Sequence, residues 1–132
     1  MSGKEILIDT NIVIYLLRGS QELQDYLQGK ELYISFISEL ELLGYKSITQ
    51  KHEAELLNFL NDCSIIQMSN AIKENYIGLT RKYKIELPDA LIAATSLTLN
   101  IPFITADKGF QKINDINLVL YHDGINLTAS KK

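Results

Sequence analysis

Short apolar runs alternate along this chain with longer stretches whose apolar residues recur at helical spacing. The short runs are Glu5–Asp9, Glu31–Ile34, Ser64–Gln67, Pro102–Thr105 and Leu118–Tyr121. Continuous apolar strands separated by helices need both faces covered, so they pair side by side in parallel. Between them, Thr10–Arg18 reads as a helix, and Ser20 caps a second, QELQDYLQ, that Gly29 ends. Phe36–Ser47 and Gln50–Asn61 read as two more. Ile72, Tyr76, Leu79 and Tyr83 mark one face of a helix capped by Ser69. Pro88 suits the first turn of the next helix. With 132 residues, 46% of them hydrophobic, the chain has the size and core of one ordinary domain. The expectation is a single α/β domain of three layers, α/β/α, over residues 1–122, with a central parallel sheet of about five strands. A polar C-terminal tail without regular structure, 123–132, follows.

Four carboxylates fall where strands meet helices. Asp9 ends ILID and opens TNIVIYLL, and Asp107 ends IPFITAD. Asp89 opens the near-continuous apolar helix PDALIAATSLTL, and Glu41 lies among leucines inside a helix. Each has an ordinary reading. Asp9 is a good N-cap, Asp89 suits the dipole of a first helical turn, and DKG after Asp107 is a good turn sequence. Glu41 shares a helical stripe with Ile37, Gly44 and Ile48, which should face inward, while Glu39 falls on roughly the opposite side. Spacing alone does not say which glutamate faces the sheet. The set is more telling than its members. Open parallel sheets bind ligands beyond the carboxyl ends of their strands, where Asp9 and Asp107 lie. Acids brought together repel unless something positive binds between them, and oxygen-only ligands suit magnesium or manganese.

Other chemistries find less support. The single Cys63 forms no intramolecular disulfide and fits a reducing compartment as a buried, inert thiol. His52 and His122 stand apart without cysteine partners, against a zinc site. No Gly-rich phosphate loop or nucleophile–base pair is present. Net charge is −3, and the basic residues gather weakly at Arg81, Lys82 and Lys84. That cluster reads first as a solvated face, though it can steer a polyanion. Tyr76 and Tyr83 read as core or interface residues. No apolar run reaches the roughly 20 residues a membrane span needs. The N-terminus lacks a signal-peptide pattern, so the expected location is the cytoplasm, with no membrane partner.

The motifs IDTNIVI, SFISELELLG, LPDALIAAT and FITADKGF, in this order and across nearly the whole chain, resemble the PIN domain. Within that family they resemble the VapC-type toxins of bacterial toxin–antitoxin pairs. The resemblance implies a metal-dependent endoribonuclease with Mg2+ or Mn2+ as cofactor and RNA as substrate. It matches Asp9 to the first acid of the family and Asn11 to the polar residue after it. Glu41 matches the second acid, because a serine stands six residues before it, as Ser35 does here. Asp89 matches the third acid, Asp107 the fourth, and Thr105 the hydroxyl residue two before it. Asp9, Glu41, Asp89 and Asp107 would then be the catalytic and metal-binding set, with Asn11 and Thr105 hydrogen-bonding the carboxylates. In-line attack by water would leave a 5′-phosphate and a 3′-hydroxyl. Also implied are a homodimer, a cognate antitoxin that blocks the site with a short peptide, and a role in inhibiting translation or growth. One departure stands out: many members carry a further acid where Gly109 precedes Phe110 here. Asp107 is then the only acid of that loop, which bears on a second, weaker metal site and not on the first.

Three other readings compete. A housekeeping PIN nuclease in RNA maturation would share every residue of the site. A catalytically silent binding module would keep the fold. A phosphoacceptor receiver would need an acid at the end of its central strand, and SIIQM supplies none at mid-chain.

Overall fold

The computed structural model describes residues 3–122 and 126–130. Its strands are β1 (Glu5–Ile8), β2 (Glu31–Ser35), β3 (Ser64–Ile66), β4 (Phe103–Thr105), β5 (Leu118–His122) and β6 (Asn126–Ser130). They form one sheet in the order β3-β2-β1-β4-β5-β6. The first five pair in parallel, and β6 runs antiparallel to β5. The helices are α1 (Thr10–Leu17), α2 (Gln21–Leu27), α3 (Phe36–Leu43), α4 (Gln50–Asn61), α5 (Asn70–Lys82) and α6 (Leu87–Leu99).

Alternation along each strand divides the core in two. Ile6, Ile8, Ile104 and Val119 face one way, onto Ile12 and Val13 of α1, Leu23 of α2 and Leu56 of α4. Leu7, Phe103 and Leu118 face the other way, onto Ile72 and Leu79 of α5 and Ile92 of α6. These are the outer layers of the expected α/β/α domain. Helix α6 is buried on every side from Ala90 to Ser96, which is why its sequence lacks a polar face. Its hydroxyls are satisfied within the fold: Thr95 donates to the Leu91 carbonyl at 2.8 Å and Ser96 to that of Ile101 at 2.8 Å. Tyr76 and Tyr83 pack against this half of the core.

The structure departs from expectation in three places. Residues 126–130 belong to the segment expected to lack regular structure, yet they pair as β6. An edge strand is held by its backbone and needs no apolar signature, so NLTAS passed as tail. The remaining tail residues lie outside the described ones. Helix α3 stops at Leu43 rather than Ser47, because Gly44 is a weak helix former and caps it, donating to the Leu40 carbonyl at 2.8 Å. Its inward positions are Ser38 and Leu42, while Ile37 and Ile48 are half-buried and Gly44 is exposed.

Beyond β4 the chain turns through a 3-10 segment, Lys108–Lys112, whose Phe110 enters the core. Phe110 meets Phe103 edge to face, with ring centroids 4.9 Å apart. This contact fixes the loop that carries Asp107. Phe110→Ala should therefore destabilise the fold by about 3–5 kcal/mol, read as a lower urea midpoint. A loss under about 1 kcal/mol would show that the loop does not depend on this anchor.

Candidate active site

Strand order reverses between β1 and β4: the chain moves outward through β2 and β3, then crosses back to β4 and β5. At this switch point the carboxyl ends of two adjacent parallel strands open a crevice. Asp9 directly follows β1, and Thr105 ends β4.

Asp9 is the N-cap of α1 and is buried. One carboxylate oxygen accepts from the Thr10 N–H at 2.8 Å, and the other from the Thr105 hydroxyl at 2.5 Å. Thr105 Oγ1 in turn accepts from the Asp107 N–H at 3.0 Å. One hydroxyl thus joins the first acid to the backbone of the last. Burial pushes the Asp9 carboxyl up from 3.8 to about 6. The two hydrogen bonds oppose that rise, and the negative charges of Asp89 and Glu41 add to it.

Asp89 lies in the first turn of α6, after Pro88. Its carboxyl is also raised, first by burial and then by repulsion from Asp107, Glu41 and Glu86, with Lys112 pulling the other way. These mutual repulsions bring the four sequence-predicted acids into one electrostatic neighbourhood. Glu41, not Glu39, is the glutamate of that neighbourhood. It stands at an exposed rim, and its Oε1 accepts from the Thr10 hydroxyl at 2.6 Å. The Thr10 hydroxyl is also 2.9 Å from that of buried Ser38. Thr10 has one proton to give and the carboxylate takes it, so Ser38 donates to Thr10. Sequence reasoning assigned neither residue to this relay. The signal was there: a polar Ser38 on the inner face of a leucine-rich helix.

Thr105 bonds a carboxylate, as the family resemblance implies, whereas Asn11 plays another part. Asn11 Oδ1 accepts from the Ala106 N–H at 3.3 Å and ties α1 to the exit of β4. Asn11 follows Asp9 by two positions, which aims it at the neighbouring strand end. Cys63 lies outside the crevice. Burial and the adjacent Asp62 push its thiol up to about 11, the state of an inert thiol.

The donor chemistry suits a hard divalent cation: carboxylate oxygens alone, two of them held above their ordinary values by burial and like charge. Yet among the described residues no three His, Cys, Asp or Glu side chains close on one point. Glu41 is turned onto Thr10, and Asp107 Oδ1 accepts from the Gly109 N–H at 2.8 Å.

Comparison with known proteins agrees with this fold. The PIN domain profile matches residues 6–116. A chain of a toxin–antitoxin complex from Klebsiella pneumoniae is 33% identical, with a TM-score of 0.73, over 86% of this chain and 95% of that one. A chain of VapBC-1 from nontypeable Haemophilus influenzae is 25% identical, with a TM-score of 0.75, over 92% and 99%. A chain of VapBC2 from Rickettsia felis, solved on a DNA fragment from its promoter, is 22% identical with a TM-score of 0.79 over 89% and 99%, a likeness of fold. No curated protein matches. The chain belongs to the PIN-domain family and is a VapC-type member of it.

Asp9 gives a test of the electrostatics. Its folded-state value of about 6 lies above its ordinary 3.8, so folding favours the neutral carboxyl. The cost to stability is fully present above about pH 6 and fades as pH falls toward 4. At pH 7 it amounts to about 2–3 kcal/mol. With chelator present, Asp9→Asn should raise Tm at pH 7 and raise it much less near pH 4. A gain independent of pH, or a loss at pH 7, would contradict the assignment.

Proposed function

We propose that the chain is a metal-dependent endoribonuclease, the toxin of a toxin–antitoxin pair, with Mg2+ or Mn2+ held by Asp9, Glu41, Asp89 and Asp107. The observation that carries this reading is the placement of Asp9 and Asp107 beyond the adjacent carboxyl ends of β1 and β4, joined through Thr105, on a chain of this family. When bound, a divalent cation there acidifies water and neutralises charge on the scissile phosphate. The chain's own residues supply the rest. The Thr10 N–H and the Thr105 hydroxyl fix both oxygens of Asp9, so its carboxylate meets substrate in one orientation. Thr105 also orients the peptide of Asp107 and couples the positions of the two acids. The Ser38–Thr10 relay holds Glu41 at the rim until its carboxylate turns inward. Asn11 keeps the Ala106 peptide, and with it the Asp107 loop, against α1. No histidine is needed as base.

The toxin assignment draws on the 33% identity to the Klebsiella complex over most of both chains. A housekeeping nuclease would share the residues, but none of the similar structures named above argues for it. Beside Glu41 runs a groove of about 410 Å³ lined by Ile14, Leu17, Leu42, Tyr45, Ile48 and Leu56, among others. We take this apolar groove as the seat of an antitoxin peptide. The protein is read as a cytoplasmic homodimer, and among the described residues no helix is long and apolar enough to cross a membrane.

Purified protein, free of antitoxin, should cut cellular RNA into discrete fragments with 5′-phosphates when Mg2+ or Mn2+ is added. Asp9→Asn and Asp89→Asn should each lower the rate by at least roughly 100-fold while melting cooperatively. Full activity in either variant would remove that acid from the site. Intact RNA from folded wild-type protein with metal would leave the silent binding module as the better reading.

Added Mg2+ or Mn2+ should also raise Tm of the wild type, since a ligand bound by the folded state alone stabilises it. The rise should vanish in Asp89→Asn. An equal rise in both proteins would place the cation elsewhere.

A further inference from the structure

On the Asp89 side the acids border a second depression, of about 590 Å³. Its rim includes Lys84, Glu86, Asp89, Gly109 and Lys112. Ile85, Leu87 and Phe110 complete its lining. Lys84 lies in the connection between α5 and α6, and Lys112 closes the 3-10 segment after β4. Two segments far apart in sequence thus bring two lysines to the rim of one depression.

Lys112 is held in place there. Its ammonium donates to the Lys84 carbonyl, which spends one of three N–H groups and leaves two free. Lys112 and Asp89 line the same depression, which sets this ammonium beside one of the acids.

A polyanion approaching this crevice meets carboxylates, and a net charge of −3 offers no general attraction. Entry of a nucleic acid strand needs a local positive seat. Among the residues lining the depression, Lys84 and Lys112 are the cations, set beside Glu86 and Asp89. We propose that Lys112 and Lys84 seat the phosphate next to the one that is cut, so that the RNA strand passes between the 3-10 segment and the start of α6. This rests on the nuclease reading above. It adds the side of the acids on which the strand lies and the groups that hold it.

The test is binding of a labelled, mixed-sequence single-stranded RNA to the Asp9→Asn protein with Mg2+, followed by fluorescence anisotropy between about 50 and 200 mM salt. Adding Lys112→Gln or Lys84→Gln should weaken Kd roughly tenfold, the scale of one charge-assisted hydrogen bond. Each should also flatten the slope of log K against log salt by about 0.7, the value for one phosphate contact on a single strand. Lys30→Gln, at the opposite end of the sheet, removes the same charge and should change neither. In otherwise wild-type protein the loss should fall mainly on KM. An unchanged salt slope in both variants overturns the seat. So does a fall in kcat and Tm at constant KM, which marks a structural role. If wild-type protein still cuts RNA in those cases, the nuclease reading stands alone. If it neither cuts nor binds RNA, both fall together.

Discussion

A carboxylate almost out of reach of water joins the two strands at the centre of this sheet. Asp9 ends β1 and accepts from the last residue of β4, 96 positions away. Buried charge is costly, and here the cost is offset only in part by two hydrogen bonds. The rest of the architecture is arranged around keeping it there. Parallel pairing of β1 and β4 sets the distance, α1 begins on the Asp9 cap, and Asn11 and Phe110 hold the following loop against helix and core. Replacing this acid with an apolar residue would remove the strain and also the reason for the crevice.

The crevice has two unlike flanks. Toward Glu41 it opens onto Ile14, Leu17, Leu42 and Leu56, with Arg18, His52 and Glu55 among them. Toward Asp89 it opens onto Lys84 and Lys112, with Ile85, Leu87 and Phe110 beside them. An apolar peptide and a polyanion can therefore approach the same acids from different sides. They would compete at the centre without sharing most of their contacts.

Much of this was legible in the sequence, for a definite reason. Strands β1 and β4 are short apolar runs, so Asp9 and Asp107 stood out by their position beyond the strand ends, while Thr105 was singled out only by the resemblance to the PIN domain. Asp89 was legible because Pro88 marks the start of α6. What periodicity could not decide lay on α3. Eight residues give a helix barely two turns, and its stripe could be drawn through Ile37 or through Ser38. In the structure the buried positions are Ser38 and Leu42, and Ser38 meets the Thr10 hydroxyl. Asn11 was expected to bond a carboxylate, and its Oδ1 accepts from the Ala106 N–H instead, since a side chain three residues past the end of β1 reaches the neighbouring strand as readily as the acid. Strand β6 was hidden because an edge strand leaves no apolar trace.

Every acid of the crevice comes from a different part of the chain, and the bond between Asp9 and Thr105 spans most of its length. During synthesis the amino-terminal half emerges with Asp9 and Glu41 but without Asp89, Thr105 or Asp107. An incomplete chain on the ribosome has no crevice to offer, however well its first strands and helices have formed. The long reach of that one hydrogen bond acts as a timer: whatever this site does, it can begin only once synthesis has passed Thr105 and Asp107.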